Sequence, residues 1–321
     1  MPDRNEPPPT RLIDRVHPEL RETVRWLPLF ELPMRSMKMA RWMGRLVKGP
    51  RPPAGVTVTN QVIAGPGGAL RLRLYRPETM QPPAPAVFYM HGGGYVMGTP
   101  EQDDEQCAQT ALRLGSLVVS VNYRLAPEQP FPAGLEDCYA GLRWLSQQAA
   151  ALGVDRERIA LAGSSAGGGL AAALAQLAVD RGEVRPVFQA LIYPMLDDRT
   201  VTRPGLDPKG YVVWTPHHNR LGWQAYLGQA PGLVETPAYA VPARRADLHG
   251  LPPAWIGIGT LDLFYEEDLT YAQRLRASGV PCELVEAPGA FHGFDVASPR
   301  SDVAREFLRS RLAALKEALF A

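Results

Sequence analysis

The segment "RIALAGSSAGGGLAAALAQLAVDRG" (Arg158 to Gly182) constrains the fold more than any other stretch of the chain. Ile159 to Ala162 reads as a short buried strand, and the run from Ala166 reads as a helix that stops at Gly182, with no linker between them. Joining the two directly forces the residue at the bend into strained backbone angles, so its neighbours must lack bulk. Only one frame of G-x-S-x-G fits: Gly163, Ser164, Ser165, Ala166, Gly167. Ser165 then sits at the bend and Ser164 is its variable neighbour. A hydroxyl presented there shares space with the free N–H groups and the positive dipole end of the helix. A Gly/Ser/Ala-rich turn also suits a plain loop or a phosphate cradle, so a reagent serine needs partners elsewhere in the chain.

Around this bend, strand-like and helix-like runs alternate. "VTVTNQVIAG" and "ALRLRLYRP", separated by "GPGG", read as a hairpin. "AVFYM", "SLVVSVNY", "RIALAG", "FQALIY", "AWIGIG" and "CELVEA" read as further strands, interleaved with helices at "LEDCYAGLRWLSQQAAAL", from Ala166, at "YEEDLTYAQRLRASG" and at "SDVAREFLRSRLAALKEALF". That rhythm predicts an α/β fold with a mostly parallel central sheet covered on both faces, whose active site gathers at the carboxyl ends of the strands. Residues 1–50 and the aromatic-rich insert at about 196–243 stand outside the rhythm. They are expected to fold over residues 51–321 as a helical cap. Within the first, "MRSMKMARWMGRLVK" puts Arg35, Lys38, Arg41, Arg45 and Lys48 on one helical face and Met34, Met37, Trp42, Met43 and Leu46 near the other. Such a helix packs as a pliable lid or lies on a lipid surface; packing is the expectation.

Charge excludes one class of partner: 34 basic against 33 acidic side chains leave a net +1, with no overall field for nucleic acid. Cys107, Cys138 and Cys282 are odd in number and widely spaced, which argues against a disulfide framework and a zinc cluster. The N-terminal stretch "MPDRNEPPPTRLIDR" has no apolar core after its charges, and nowhere do 18 apolar residues run consecutively. A cytoplasmic protein without a transmembrane segment is expected.

A nucleophilic Ser165 requires a base and an acid to orient that base. Downstream histidines are His217, His218, His249 and His292. The first two lie in the aromatic insert and His249 precedes a strand, whereas His292 follows "CELVEA" at the right end of the sheet. His292 is the candidate base. Asp262 lies just past "AWIGIG" and is the candidate acid; Glu266, Glu267 and Asp268 fall where the next helix begins, where carboxylates often merely favour its dipole. Asp262 has a structural alternative too, as a helix cap. Directly after "AVFYM" comes His91-Gly92-Gly93-Gly94, whose glycines let backbone N–H groups approach a ligand. Gly93, Gly94 and Ala166 are the candidate oxyanion donors, with His91 structural. This chemistry calls for no cofactor and no metal.

"HGGGY", "VNYRLAPEQPFPAGLED", "GSSAGGG", "LIYPMLD", "LDLFYEED" and "FHGF" together resemble the hormone-sensitive-lipase-like esterases of the α/β-hydrolase superfamily, from roughly Pro82 to the C-terminus. The resemblance implies a serine carboxylesterase acting on short- to medium-chain acyl esters, a cap built from the N-terminal helices and the insert after Tyr193, scaffold roles for Tyr123 to Glu128, and homodimers through an edge strand. Amide, lactone or carbamate hydrolysis by the same triad is an alternative, as is a non-catalytic small-molecule receptor; receptors of that kind tend to lose the base, and His292 is in place. The chain departs from the family at Ser164, where Asp is frequent, at Gly169, where Asn is common, and at Leu263, where Pro often follows the acid. None of the three removes a triad member.

Overall fold

The computed structural model describes residues 11–27, 53–207 and 209–321. The basic, methionine-rich segment Met34 to Lys48 and most of the expected N-terminal cap lie outside the described residues. The hairpin forms as expected: β1 (Val56–Gly65) and β2 (Gly68–Pro77) pair antiparallel, from Val56 opposite Pro77 to Gly65 opposite Gly68. They join β3 (Ala84–Met90), β4 (Leu117–Val121), β5 (Val154–Ser164), β6 (Phe188–Ile192), β7 (Ala254–Gly259) and β8 (Cys282–Ala287) in one eight-stranded sheet, ordered β1-β2-β4-β3-β5-β6-β7-β8. β2 meets β4 antiparallel, and from β4 to β8 neighbouring strands are parallel. Every residue of β3, β4, β6 and β7 is buried, which is why these strands read as continuous apolar runs rather than alternating ones.

Covering the sheet are α1 (Asp104–Leu114), α2 (Ala133–Gln147), α3 (Ala166–Arg181), α5 (Tyr265–Ala277) and α6 (Asp302–Phe320), with α4 (Pro216–Leu227) inside the insert. Helix α3 is buried without a break from Ala166 to Ala178, so its small residues let it lie close against the sheet. Helix α1 has no counterpart among the expected elements. Its polar opening "DEQ" hides an inward stripe of Cys107, Ala108, Ala111 and Leu114, and Gly115 ends it in the left-handed conformation with φ 60°. The strand expected over "SLVVSVNY" stops at Val121, which leaves Asn122 and Tyr123 in the loop beyond it. Among the N-terminal described residues, Val16 and Leu20 are buried, and the His17 N–H donates to the Gly289 carbonyl at 2.9 Å, so this segment packs against the loop that follows β8.

The topology places the site. From β3 the chain moves to one side to form β4, then crosses back to form β5 on the other side of β3. Loops leaving β3 and β5 therefore diverge, and a crevice opens at their carboxyl ends. Met90, the last residue of β3, lies opposite Gly163 of β5, so His91 to Gly94 and Ser164 to Gly167 emerge side by side.

Candidate active site

Ser165 sits between β5 and α3 with φ 57° and ψ −121°, a conformation that L-residues rarely hold. The surrounding backbone fixes it: the Ser165 N–H donates to the Ile192 carbonyl at 2.9 Å, and its own carbonyl accepts from the N–H groups of Gly169 and Met195, each at 3.0 Å. The flanking glycines are required by contact. A Cβ on Gly163 would stand 2.2 Å from the Gly167 carbonyl oxygen, and one on Gly167 would stand 2.1 Å from the carbonyl oxygen of Met90. Gly169, where Asn is common in similar chains, also has a local cause here. A Cβ there would meet the Met195 carbonyl oxygen at 2.2 Å and the Tyr95 hydroxyl at 2.4 Å.

The sheet brings the three separated residues together. His292, in the loop after β8, has Nε2 2.9 Å from Ser165 Oγ, and its Nδ1 lies 2.7 Å from Asp262 Oδ2. All three side chains are buried. Asp262 is an acceptor at both oxygens, since Oδ1 takes the Phe264 N–H at 3.0 Å while Oδ2 faces the imidazole. The imidazole proton therefore rests on Nδ1, and Nε2 is free to accept from the serine hydroxyl. Two buried aromatic rings hold the imidazole edge-on: Tyr193 at a centroid distance of 4.8 Å and Phe264 at 5.2 Å. The Tyr193 hydroxyl is anchored in turn by Asp295 Oδ1 at 2.8 Å. Of the other downstream histidines, His217 and His249 are exposed, and His218 lies beside Trp214 in the insert.

The glycine loop after β3 has its own supports. Gly93, with φ 123°, leaves no room for a side chain, because a Cβ would stand 2.1 Å from the Met97 carbonyl oxygen. Its carbonyl accepts from the N–H groups of Val96 and Met97, and among the described residues the N–H groups of Gly93, Gly94 and Ala166 have no backbone acceptor. His91 faces away from this chemistry. Its Nδ1 lies 2.8 Å from the Gly92 carbonyl oxygen and its ring stacks on Tyr123 at 4.2 Å, while burial pushes its pKa down to about 4. A neutral His91 thus donates to Gly92, and the Tyr123 hydroxyl donates to the His91 carbonyl at 2.8 Å. Ser164, the variable neighbour, has its hydroxyl 3.2 Å from where a Cβ on Gly92 would stand.

Two of the helix-opening carboxylates, Glu267 and Asp268, are buried rather than simply facing the dipole, and Glu267 has a distinct role. Glu267, placed by sequence among the acids that merely favour a helix dipole, is buried and accepts from the N–H groups of Leu196 at 2.7 Å and Asp197 at 3.1 Å, and from the Thr200 hydroxyl. It ties the stem of the insert to the helix that begins three residues after Asp262. Periodicity signalled an inward position, since Glu267, Tyr271 and Leu275 recur every four residues, but its partners lie about 70 residues away in sequence and were not legible. Burial, opposed by the Thr200 and Leu196 donors, pushes this carboxyl up from 4.5 to about 8. The folded chain keeps a proton that the unfolded chain releases. The stability tied to that proton is therefore complete below about pH 4.5 and is lost as pH rises through about 8. Glu267→Gln, a neutral head that still accepts the two N–H groups, is expected to flatten that alkaline loss. Glu267→Ala is expected to lower stability by about 2–4 kcal/mol by leaving buried donors unpaired. Urea unfolding on either side of neutrality checks both, and an unchanged alkaline slope in the Gln variant contradicts the assignment.

Known proteins resemble this chain in sequence and fold. A family model described as alpha/beta hydrolase fold matches residues 87–296. Esterase LipI of Mycobacterium tuberculosis (strain ATCC 25618 / H37Rv) is 39% identical over 262 residues, covering 78% of this chain and 79% of its own. Ethyl acetate hydrolase of Pseudomonas putida is 36% identical over 245 residues, covering 71% and 72% of the two chains. Among solved structures, a bacterial heroin esterase superposes with a TM-score of 0.88 at 34% identity, over 96% of this chain and 99% of that one. Sheet order, the serine bend between β5 and α3, and these likenesses agree: the chain belongs to the α/β-hydrolase fold family, in its hormone-sensitive-lipase-like branch.

Proposed function

We propose that this carboxylic ester hydrolase works through Ser165, His292 and Asp262, and the hydrogen-bonded chain from Ser165 Oγ through the imidazole to Asp262 carries that reading. Ser165 Oγ attacks the ester carbonyl carbon while His292 Nε2 takes its proton. The carbonyl oxygen becomes an oxyanion, and the N–H groups of Gly93, Gly94 and Ala166 stabilise it. Collapse of the tetrahedral intermediate breaks the bond to the alcohol oxygen, which leaves with the proton held by His292. Water, deprotonated by the same imidazole, then attacks the acyl-serine; the bond to Ser165 Oγ breaks, that oxygen takes the proton back from His292, and the acid is released. Asp262 holds the ring in place and offsets the positive charge it carries between these steps.

The substrates we assign are short- to medium-chain acyl esters, received under a cap to which the insert at 196–243 contributes. The insert's stem is fastened by Glu267, and its aromatic residues reach the glycine loop. Pairing of two copies through an edge strand of the sheet belongs to the same proposal. Ester rather than amide chemistry is tested by a matched pair, p-nitrophenyl butyrate and the corresponding p-nitroanilide. The ester is expected to be preferred by at least ~1,000-fold in kcat/KM, because p-nitrophenoxide leaves far more readily than the p-nitroanilide nitrogen at equal transition-state binding. Comparable rates would move the assignment to an amidase.

A further inference from the structure

Trp214 stands apart from the other aromatic residues of the insert in touching the reacting centre. The far edge of its indole rests on Gly94, where a Cβ would lie 2.1 Å from the ring. Its Nε1–H donates to the buried Asn219 at 3.3 Å, and Gly222 packs beneath it, with space for only a hydrogen where a Cβ would stand 3.4 Å from the indole and 2.8 Å from the Gly94 carbonyl oxygen. Residue Val213, immediately before it, holds φ 67°, so the backbone is bent to deliver the ring. The ring centroid is 6.3 Å from that of His292 at an interplanar angle of 38°, and unlike Tyr193 and Phe264, which flank the same imidazole, Trp214 is only partly buried. The indole is thus a fixed, flat, apolar surface that bridges the glycine loop and the imidazole.

That position decides which half of an ester it meets. The proton delivered by His292 Nε2 goes to the alcohol oxygen, so the alcohol group must lie on the imidazole side of the tetrahedral carbon. We propose that Trp214 forms the wall of the alcohol subsite, against which flat, unsaturated alcohol groups stack. This assignment rests on the Ser165–His292 reading above. An aromatic ring placed against an indole gains beyond its area burial, whereas a puckered saturated ring of similar size cannot lie flat on it.

Benzyl acetate and cyclohexylmethyl acetate test this, since they share the acyl group and a primary alcohol and differ in ring planarity. The wild-type protein is expected to favour the benzyl ester. Trp214→Ala and Trp214→Leu should each reduce that preference about three- to tenfold, and Trp214→Phe should keep most of it. Leucine restores apolar bulk without a flat face, which keeps the test informative if the alanine variant fails to fold. The ratio of p-nitrophenyl acetate to p-nitrophenyl hexanoate, with the alcohol held constant, should move by less than about twofold in all three variants. A shift in the acyl ratio instead of the alcohol ratio, or no shift in either, overturns the proposal. Retained turnover in a Ser165→Ala protein is a separate result and would bring down the triad reading itself.

Discussion

Replacing Ser165 with alanine is expected to lower kcat/KM for p-nitrophenyl butyrate by about ten thousand- to a millionfold, because the attacking oxygen is lost while the remaining donors bind substrate as before. A loss of that size corresponds to roughly 5.5–8 kcal/mol of transition-state stabilisation. Alanine keeps the Cβ and removes a single atom, so the bend at φ 57° and its backbone bonds to Ile192, Gly169 and Met195 remain available. Circular dichroism and thermal unfolding should accordingly match the wild type within about 1 kcal/mol. Turnover within tenfold of wild type would remove Ser165 from the reaction.

Asp262→Asn is expected to cost about ten thousandfold in kcat with little effect on folding, for a reason written into the local bonds. Asp262 Oδ1 accepts the Phe264 N–H, so the carbonyl oxygen of an asparagine takes that position and its NH2 group falls where Oδ2 now faces His292 Nδ1. A donor there holds the imidazole with its proton on Nε2, which points an N–H at Ser165 Oγ in place of a lone pair. Substrate binding has no reason to change, so the loss should appear in kcat with KM nearly constant. A variant retaining more than a tenth of wild-type kcat would return Asp262 to the alternative role of helix cap.

The proposed triad was readable because each member occupies a position defined by its own strand: Ser165 at a bend only small residues permit, Asp262 just past β7, His292 just past β8. Sheet order then converts three separate loop positions into one cluster, a step that sequence spacing alone does not specify. Contacts made far along the chain were the least legible. Glu267 looked like an ordinary first-turn acid because nothing near it reveals the N–H groups of Leu196 and Asp197 that it serves. Helix α1 was obscured by its charged opening, although its buried face recurs with helical period. Trp214 belonged to a visibly aromatic stretch, yet only the bend at Val213 and the bare Cα of Gly94 show where its ring arrives. Gly169 counted as a departure from a family pattern by sequence; in space it is the residue that fits under the Met195 carbonyl.

Activation of one serine oxygen by one imidazole is read directly by labelling with a fluorophosphonate followed by peptide mass spectrometry. A single phosphonyl adduct on the peptide carrying Ser165 is predicted, with the adduct absent in Ser165→Ala and formed far more slowly in His292→Ala. Labelling of a different side chain, or unchanged labelling of Ser165 after loss of the His292 imidazole, would contradict it.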